Sequence, residues 1–231
     1  MNKPVAIERA QVGRCMHFPR MRWDPLPSKI DAQNSFVTQS DAENDLCNDA
    51  VAIEPSKQSQ ISIVVPRRKR MHLKFHLAAS SSIGSVMSLP LVVGREREKA
   101  LLRLSLQNSK FLLELFDKNG RSRSSVKEVE TKDFGNGWSE VELHLEPGKV
   151  MFTVDKNVLG TMKLQGRARS EGIAYFGVVS SQWKQKLADS PIFNGCLSQI
   201  KVNGFGLNLD DDTTVSKRHV SICTIVPCQF V

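Results

Sequence analysis

Aromatic residues are scarce in this chain, at 6% of the composition, and Tyr175 is its single tyrosine. Proteins that hold single-stranded nucleic acid stack its bases on exposed rings, so a net charge of +8 without such rings argues against nucleic acid as a partner. No apolar run approaches the ~18 residues of a membrane-spanning helix, and no membrane insertion is expected. The first residues, Met1-Asn2-Lys3-Pro4-Val5-Ala6-Ile7-Glu8, hold no apolar core of the kind a signal peptide needs. If the protein acts outside the cell, the expectation is that either the chain is a fragment of a longer product or its first exon is missing. Asn-x-Ser/Thr acceptor sites are also lacking, which weighs mildly against secretion. No segment shows a helical apolar stripe, which excludes a parallel sheet with crossover helices. Five cysteines allow two disulfides and a spare thiol, and the count alone leaves the compartment open.

What is present is ample for a core. The chain has 231 residues, 40% of them hydrophobic and 24% charged, which suits one β-sandwich with an appended segment. Residues 1–58 are poor in periodic apolar pattern and rich in turn formers, as in Asp24-Pro25-Leu26-Pro27-Ser28, and read as a poorly defined N-terminal segment or linker. From Gln60 the period becomes two. Ile61, Ile63 and Val65 alternate with Ser62 and Val64, and Leu73, Phe75 and Leu77 alternate with His72, Lys74 and His76. Further strands are expected at Val86–Val93, Leu101–Leu106, Phe111–Phe116, Val126–Glu130, Trp138–Leu145, Val150–Val154, Gly172–Val179 and Cys196–Val202. Turn formers separate them, among them Gln107-Asn108-Ser109, Glu146-Pro147-Gly148 and Asp155-Lys156-Asn157. The pattern predicts an all-β antiparallel two-sheet sandwich over residues 59–231, a jelly roll or Greek key. Such sandwiches host lectins, glycosidases and adhesion modules alike, so the fold class does not decide the function.

Three runs carry a resemblance. Phe134-Gly135-Asn136-Gly137-Trp138-Ser139-Glu140-Val141-Glu142-Leu143, followed by Lys149-Val150-Met151-Phe152-Thr153-Val154-Asp155, resembles the central signature of laminin G-like domains. In this reading Gly137 makes the turn, Trp138 anchors the strand in the core and Asp155 opens the next turn. Ile173-Ala174-Tyr175-Phe176-Gly177-Val178 is similar to the family's glycine-containing strand. The most specific run is Phe193-Asn194-Gly195-Cys196-Leu197-Ser198-Gln199-Ile200-Lys201-Val202-Asn203-Gly204, with Cys223 beyond it, which resembles the family's closing segment. The resemblance covers roughly residues 60–223. It implies a concanavalin A-like, laminin G-like jelly roll acting as an extracellular, non-catalytic adhesion or matrix-binding module. It also implies a Cys196–Cys223 disulfide, worth ~3 kcal/mol through loop entropy. Cys228 is an alternative partner for Cys196, and the pairing of Cys15 and Cys47 is not assigned.

Family members often hold Ca²⁺ at the sandwich rim, and the resemblance would place the first ligand near Lys99-Ala100, where no carboxylate stands. Glu96 and Glu98 alternate there with Arg95, Arg97 and Lys99, and a basic cluster repels a dication. No metal and no cofactor are expected. Basic residues gather at Arg67-Arg68-Lys69-Arg70, at Arg95, Arg97 and Lys99, at Arg121 and Arg123, at Arg167 and Arg169, and at Lys184 and Lys186. Convergence of Arg95, Arg97, Lys99, Arg167 and Arg169 on one rim would make a glycan-binding surface for sulfated glycans or for matrix and cell-surface glycoproteins. The alternative is a generally solvated basic surface. The Arg67–Arg70 run also fits a processing site or a nuclear localisation patch, both weakened by the strand it abuts. Paired carboxylates one residue apart, Glu128 with Glu130 and Glu140 with Glu142, share strand faces as glycosidase pairs do. Val141, Leu143 and Leu145 take the inward face, so Glu140, Glu142 and His144 point to solvent, and no catalytic residues are assigned. His72 and His76 share a face with Lys74, and a metal site there would need further ligands that the neighbourhood lacks, so they too are read as a solvated face. A stand-alone lectin-like carbohydrate-binding domain is the runner-up function and a sandwich glycosidase a distant third.

Overall fold

Alternating apolar residues become strands because a pleated backbone sends successive side chains to opposite faces, and burying one face needs a second sheet. The computed structural model describes residues 46–130, 137–178, 181–187, 191–209 and 212–223. Cys15, Cys228, the run Phe134-Gly135-Asn136 and the side chains of Glu128 and Glu130 lie outside the described residues.

The strands are β1 (Val51–Ile53), β2 (Gln60–Val64), β3 (Met71–Ala79), β4 (Gly84–Val93), β5 (Glu98–Gln107), β6 (Lys110–Asp117), β7 (Ser122–Glu130) and β8 (Ser139–Glu146). They continue as β9 (Lys149–Val154), β10 (Asn157–Lys163), β11 (Ala168–Ser170), β12 (Ile173–Gly177), β13 (Gly195–Val202), β14 (Phe205–Gly206), β15 (Val215–Arg218) and β16 (Ser221–Ile222). A one-turn helix, α1 (Ser181–Lys184), lies between β12 and β13. The first sheet has the order β10-β9-β8-β3-β13-β1-β16, with β14 beside β13. In the second the order is β15-β2-β12-β4-β5-β6-β7, with β11 beside β4. The fold is the expected antiparallel two-sheet sandwich.

The core lies between the sheets. Met71, Leu73, Phe75 and Leu77 of β3 and Val141, Leu143 and Leu145 of β8 are buried in it. Phe75 meets Phe176 of β12 edge-on, with ring centroids 5.1 Å apart, and Phe111 of β6 meets Phe152 of β9 at 5.5 Å. Each pair bridges the sheets in the geometry that ring quadrupoles prefer. The turns follow their residues. Asn108 and Ser109 both have positive φ (52° and 61°), as do Asp155 and Lys156 (49° and 65°), which closes β5–β6 and β9–β10 as two-residue hairpins of the type that matches strand twist. Asp155 Oδ1 also accepts the Glu140 backbone N–H at 2.8 Å, so the residue that opens one turn steadies the start of β8. Pro90 sits inside β4, where a missing N–H would normally break a ladder. Here β4 changes neighbours from β12 to β11, and the Pro90 carbonyl accepts Glu171 N–H in the gap.

Two expectations are corrected. β1 pairs with both β13 and β16, and Ser198 Oγ donates to the Leu46 carbonyl at 2.6 Å, so the sandwich begins before the boundary expected at residue 59. Trp138 is only half-buried and packs on a small cluster of Cys47, Ala50, Ala52, Ala78, Cys196 and Cys223 rather than in the core. Among the described residues the fully buried tryptophan is Trp183 of α1, which caps Leu101 and Phe116 on the outer side of the second sheet. That cap explains why Leu101 and Leu102, adjacent and so on opposite faces, are both buried.

Cys196 and Cys223 form a disulfide across 27 residues with Cα atoms 5.8 Å apart, well within the reach of such a bond. Cys47 is also disulfide-bonded. The glycine before Cys196 is required by space: a Cβ on Gly195 would lie 2.3 Å from the Ala78 carbonyl and 2.2 Å from the Phe193 ring.

Candidate functional site

The β4–β5 connection turns through Gly94 and Arg97, both with positive φ (75° and 56°). Beside it runs the loop that leads into β11, turning at Gly166 with φ 83°. The two loops touch closely. Gly94 N–H donates to the Arg167 carbonyl at 3.0 Å, and a Cβ on Gly166 would lie 3.3 Å from the Gly94 Cα. Two glycines therefore allow the approach, and the chains leaving them carry the charges. Register completes the placement: Arg169 pairs with Val92, and Val92 pairs with Lys99 on its other side.

Arg95, Arg97, Arg167 and Arg169 line one open depression of about 660 Å³, and Lys69 from the β2–β3 loop joins them. All five are exposed. Among the described residues none of the five has a carboxylate within ion-pair distance, although Glu96 and Glu98 follow closely in sequence. Glu98 is drawn the other way, to Arg123 at 3.5 Å. Five cations held together without counter-charge make a focused positive field, in which planar guanidinium groups can grip sulfate or carboxylate through two donors each.

The remaining basic residues go elsewhere. Lys99 stands on the border, with its Nζ 4.0 Å from Glu171 and its side chain lining a neighbouring pocket of about 450 Å³ together with Arg95, Asp117, Arg123 and Lys163. In that pocket the Asp117 carboxylate is committed to its own turn: Oδ1 accepts backbone N–H from Asn119 and Arg121 at 2.8 and 3.0 Å, and Oδ2 faces Arg123 Nε at 3.4 Å. The Arg121 backbone hydrogen bond, against an opposing push from burial, leads the contributions that hold Asp117 below the usual carboxylate range. Arg123 is thereby neutralised, and Lys186 lies over the Trp183 ring at 5.0 Å while donating to the Lys118 carbonyl. Arg67 packs against Gly172, and Arg68 and Arg70 border a different depression beside His72. Sequence reading singled out the Arg67–Arg70 run but not Lys69 within it, because which side chain of a loop faces a neighbouring strand is invisible without the fold.

The outer face of the first sheet carries a second polar array. Lys74 Nζ is 2.6 Å from Glu140 and 3.2 Å from Glu142, and His76 Nε2 is 3.6 Å from Glu140. Burial alone would raise the Glu142 pKa; hydrogen bonds from His144, Lys74 and His72 outweigh it and bring it to about 2. Glu142 is thus held in its ionised form by its neighbours, the opposite of the shift that a catalytic acid requires.

The laminin G domain model matches residues 86–205. Among solved structures, domains LG4-5 of the mouse laminin α1 chain align at 20% identity and a TM-score of 0.58, covering 78% of this chain and 48% of that one. The LG1-3 region of the laminin α2 chain aligns at 15% identity and 0.52, over 73% of this chain and 34% of that one. A heptameric SAP-like pentraxin from Limulus polyphemus aligns at 13% identity and 0.53, covering 79% and 97% respectively. At these identities the structural likeness speaks for the fold alone, and the chain spans about half the length of the laminin α1 structure or less of the α2 one. No curated protein sequence matches the chain.

Proposed function

The chain belongs to the laminin G domain family, and on that premise we propose that it is an extracellular adhesion or matrix module that recognises sulfated glycans, or glycoproteins bearing them, through Lys69, Arg95, Arg97, Arg167 and Arg169. A sandwich of this family is a binding module, and the finer assignment rests on one observation: the five uncompensated cations around a single depression. An open, shallow, basic site suits a linear polyanion better than a small neutral sugar, which would need a pocket with oriented neutral donors and acceptors. Multiple charge-assisted contacts along a sulfated chain add up, and each also releases counterions from the polyanion. An oxidising environment fits a disulfide whose cysteines are buried, Cys196 fully and Cys223 nearly so. Among the described residues no helix is long and apolar enough to cross a membrane.

The experiment compares elution from immobilised heparin with elution from a cation exchanger of equal charge density. Convergent recognition predicts later elution from heparin, and the difference shrinks in Arg95→Ser/Arg97→Ser and in Arg167→Ser/Arg169→Ser. Lys99→Ser, on the border and close to Glu171, has the smaller effect. Equal elution from both resins would leave only a basic surface and overturn the proposal.

A further inference from the structure

On the outer face of the first sheet, His72 of β3 and His144 of β8 are direct cross-strand partners. Their rings stack with centroids 4.1 Å apart and planes within 12°. Glu142 precedes His144 by two residues and so shares its face. One carboxylate oxygen, Glu142 Oε2, lies 3.0 Å from His72 Nε2 and 3.1 Å from His144 Nε2. The three ligating atoms all fall within 4.8 Å of one another, which no other group of His, Cys, Asp and Glu matches among the described residues. Two imidazole nitrogens therefore lie together beside one carboxylate oxygen.

The arrangement is held from outside. β3 lies between β8 and β13, so the backbone that sets the Cβ positions is hydrogen-bonded on both sides. Asn203 Oδ1 accepts the His72 backbone N–H at 2.9 Å, and Lys74, anchored on Glu140, steadies the other oxygen of Glu142. Such outer partners orient ligands at metal sites. The His72, His144 and Glu142 side chains keep 32%, 30% and 21% of their surface, so the point they share is reachable from solvent.

We propose that His72, His144 and Glu142 form a binding site for a first-row transition ion of the Zn²⁺ type, with two imidazole Nε2 atoms and one carboxylate oxygen as protein ligands and the remaining position open to water or to a group from a bound partner. Zinc takes nitrogen at about 2.0–2.1 Å and carboxylate oxygen at about 2.0–2.2 Å in tetrahedral array, which sets ligand atoms roughly 3.3 Å apart. The present 3.0 and 3.1 Å separations between each Nε2 and Glu142 Oε2 need a few tenths of an ångström of opening, and the two rings, now nearly parallel, must tilt toward each other to bring both Nε2 lone pairs onto one ion. On binding, the hydrogens that link each Nε2 to the carboxylate move to Nδ1 and the imidazoles stay neutral. Calcium and magnesium are excluded by donor type, since they require a shell of oxygens and only one ligand here is a carboxylate. Charge does not choose the ion: Arg68 and Arg70 border the site as well as Glu146, and Lys74 offsets Glu140. Selectivity must come from the nitrogens.

The test uses the full chain with any affinity tag removed and free thiols alkylated. Zn²⁺ at about 100-fold over its dissociation constant should raise the melting temperature on the order of 5–10 °C, Co²⁺ should give a visible absorption band, and Ca²⁺ and Mg²⁺ should do neither. His72→Gln and His144→Gln should each weaken Zn²⁺ at least tenfold while the metal-free melting temperature and circular dichroism stay as in the parent. His17→Gln, His76→Gln and His219→Gln should leave the affinity intact. An absent Zn²⁺ response, an equal response to Ca²⁺, or a response that survives both His72→Gln and His144→Gln would each overturn the site.

Discussion

Removing the Cys196–Cys223 disulfide tests whether the closing segment is stapled or merely adjacent. Both cysteines are buried, so alanine is the right replacement; serine would add a buried hydroxyl in need of a partner. Both must change together, because a lone thiol next to the disulfide-bonded Cys47 in the same cluster could exchange with it. The bridge closes 27 residues, and loop-closure entropy gives about 3.5 kcal/mol for a loop of that length. For a domain of this size each kcal/mol corresponds to about 2–4 °C in Tm, so Cys196→Ala/Cys223→Ala should melt roughly 7–14 °C below the parent. Urea unfolding by tryptophan fluorescence is the independent assay. It should show a lower midpoint and a slope that does not fall, since the unlinked denatured chain exposes more surface. A loss under about 1 kcal/mol, or unchanged thiol counts in non-reduced and reduced parent protein, would refute the reasoning.

Phe75→Ala and Phe176→Ala should each cost about 3–5 kcal/mol in chemical denaturation. Their double variant should lose about 0.5–1.5 kcal/mol less than the sum, because the edge-on contact at 5.1 Å is broken only once. Burial, ahead of opposing attraction from Glu140 and repulsion from Lys74 and Lys201, holds the His76 pKa below its usual 6.5. The unfolded chain then binds a proton the folded one refuses. Stability is therefore full above about pH 6.5 and falls as pH drops through the folded pKa, and a pH series of melting temperatures should be flatter over that window in His76→Gln. Gly94→Ala adds a side chain at positive φ, where an L-residue costs about 1–2 kcal/mol. It should weaken heparin retention through the displaced Arg95 while the far-ultraviolet spectrum stays unchanged.

The strands were legible where one face is core and the other water, as in β3 and β8. They were not where that contrast fails. Val51, Ala52 and Ile53 of β1 are buried consecutively, between the core and the cysteine cluster, so no alternation marks them. β10 is mostly exposed and slips register between Val158 and Gly160, which hides its period. Trp183 sits in the polar run Ser181-Gln182-Trp183-Lys184-Gln185-Lys186, and only Leu101 and Phe116, some 70 to 80 positions away, make it a core residue. Arg95, Arg97, Arg167 and Arg169 could be named from composition and predicted loops, but their meeting depends on the contact between Gly94 and Gly166. His72, Glu142 and His144 each read as part of a solvated face, which is true of each alone. Their convergence is a matter of strand register across 72 residues for the two histidines, and a register shift of one would send one of them into the core.

The central claim is that the five cations act as one polyanion site, and the salt dependence of heparin-oligosaccharide affinity tests it most directly. Each neutralised anionic group adds close to one unit to the slope of log affinity against log salt. The parent should show a slope of about −4 to −5 in a calorimetric titration series, with Arg95→Ser/Arg97→Ser and Arg167→Ser/Arg169→Ser each about two units shallower. A slope that both double variants leave unchanged would contradict the account, because the polyanion would then be held elsewhere on the surface.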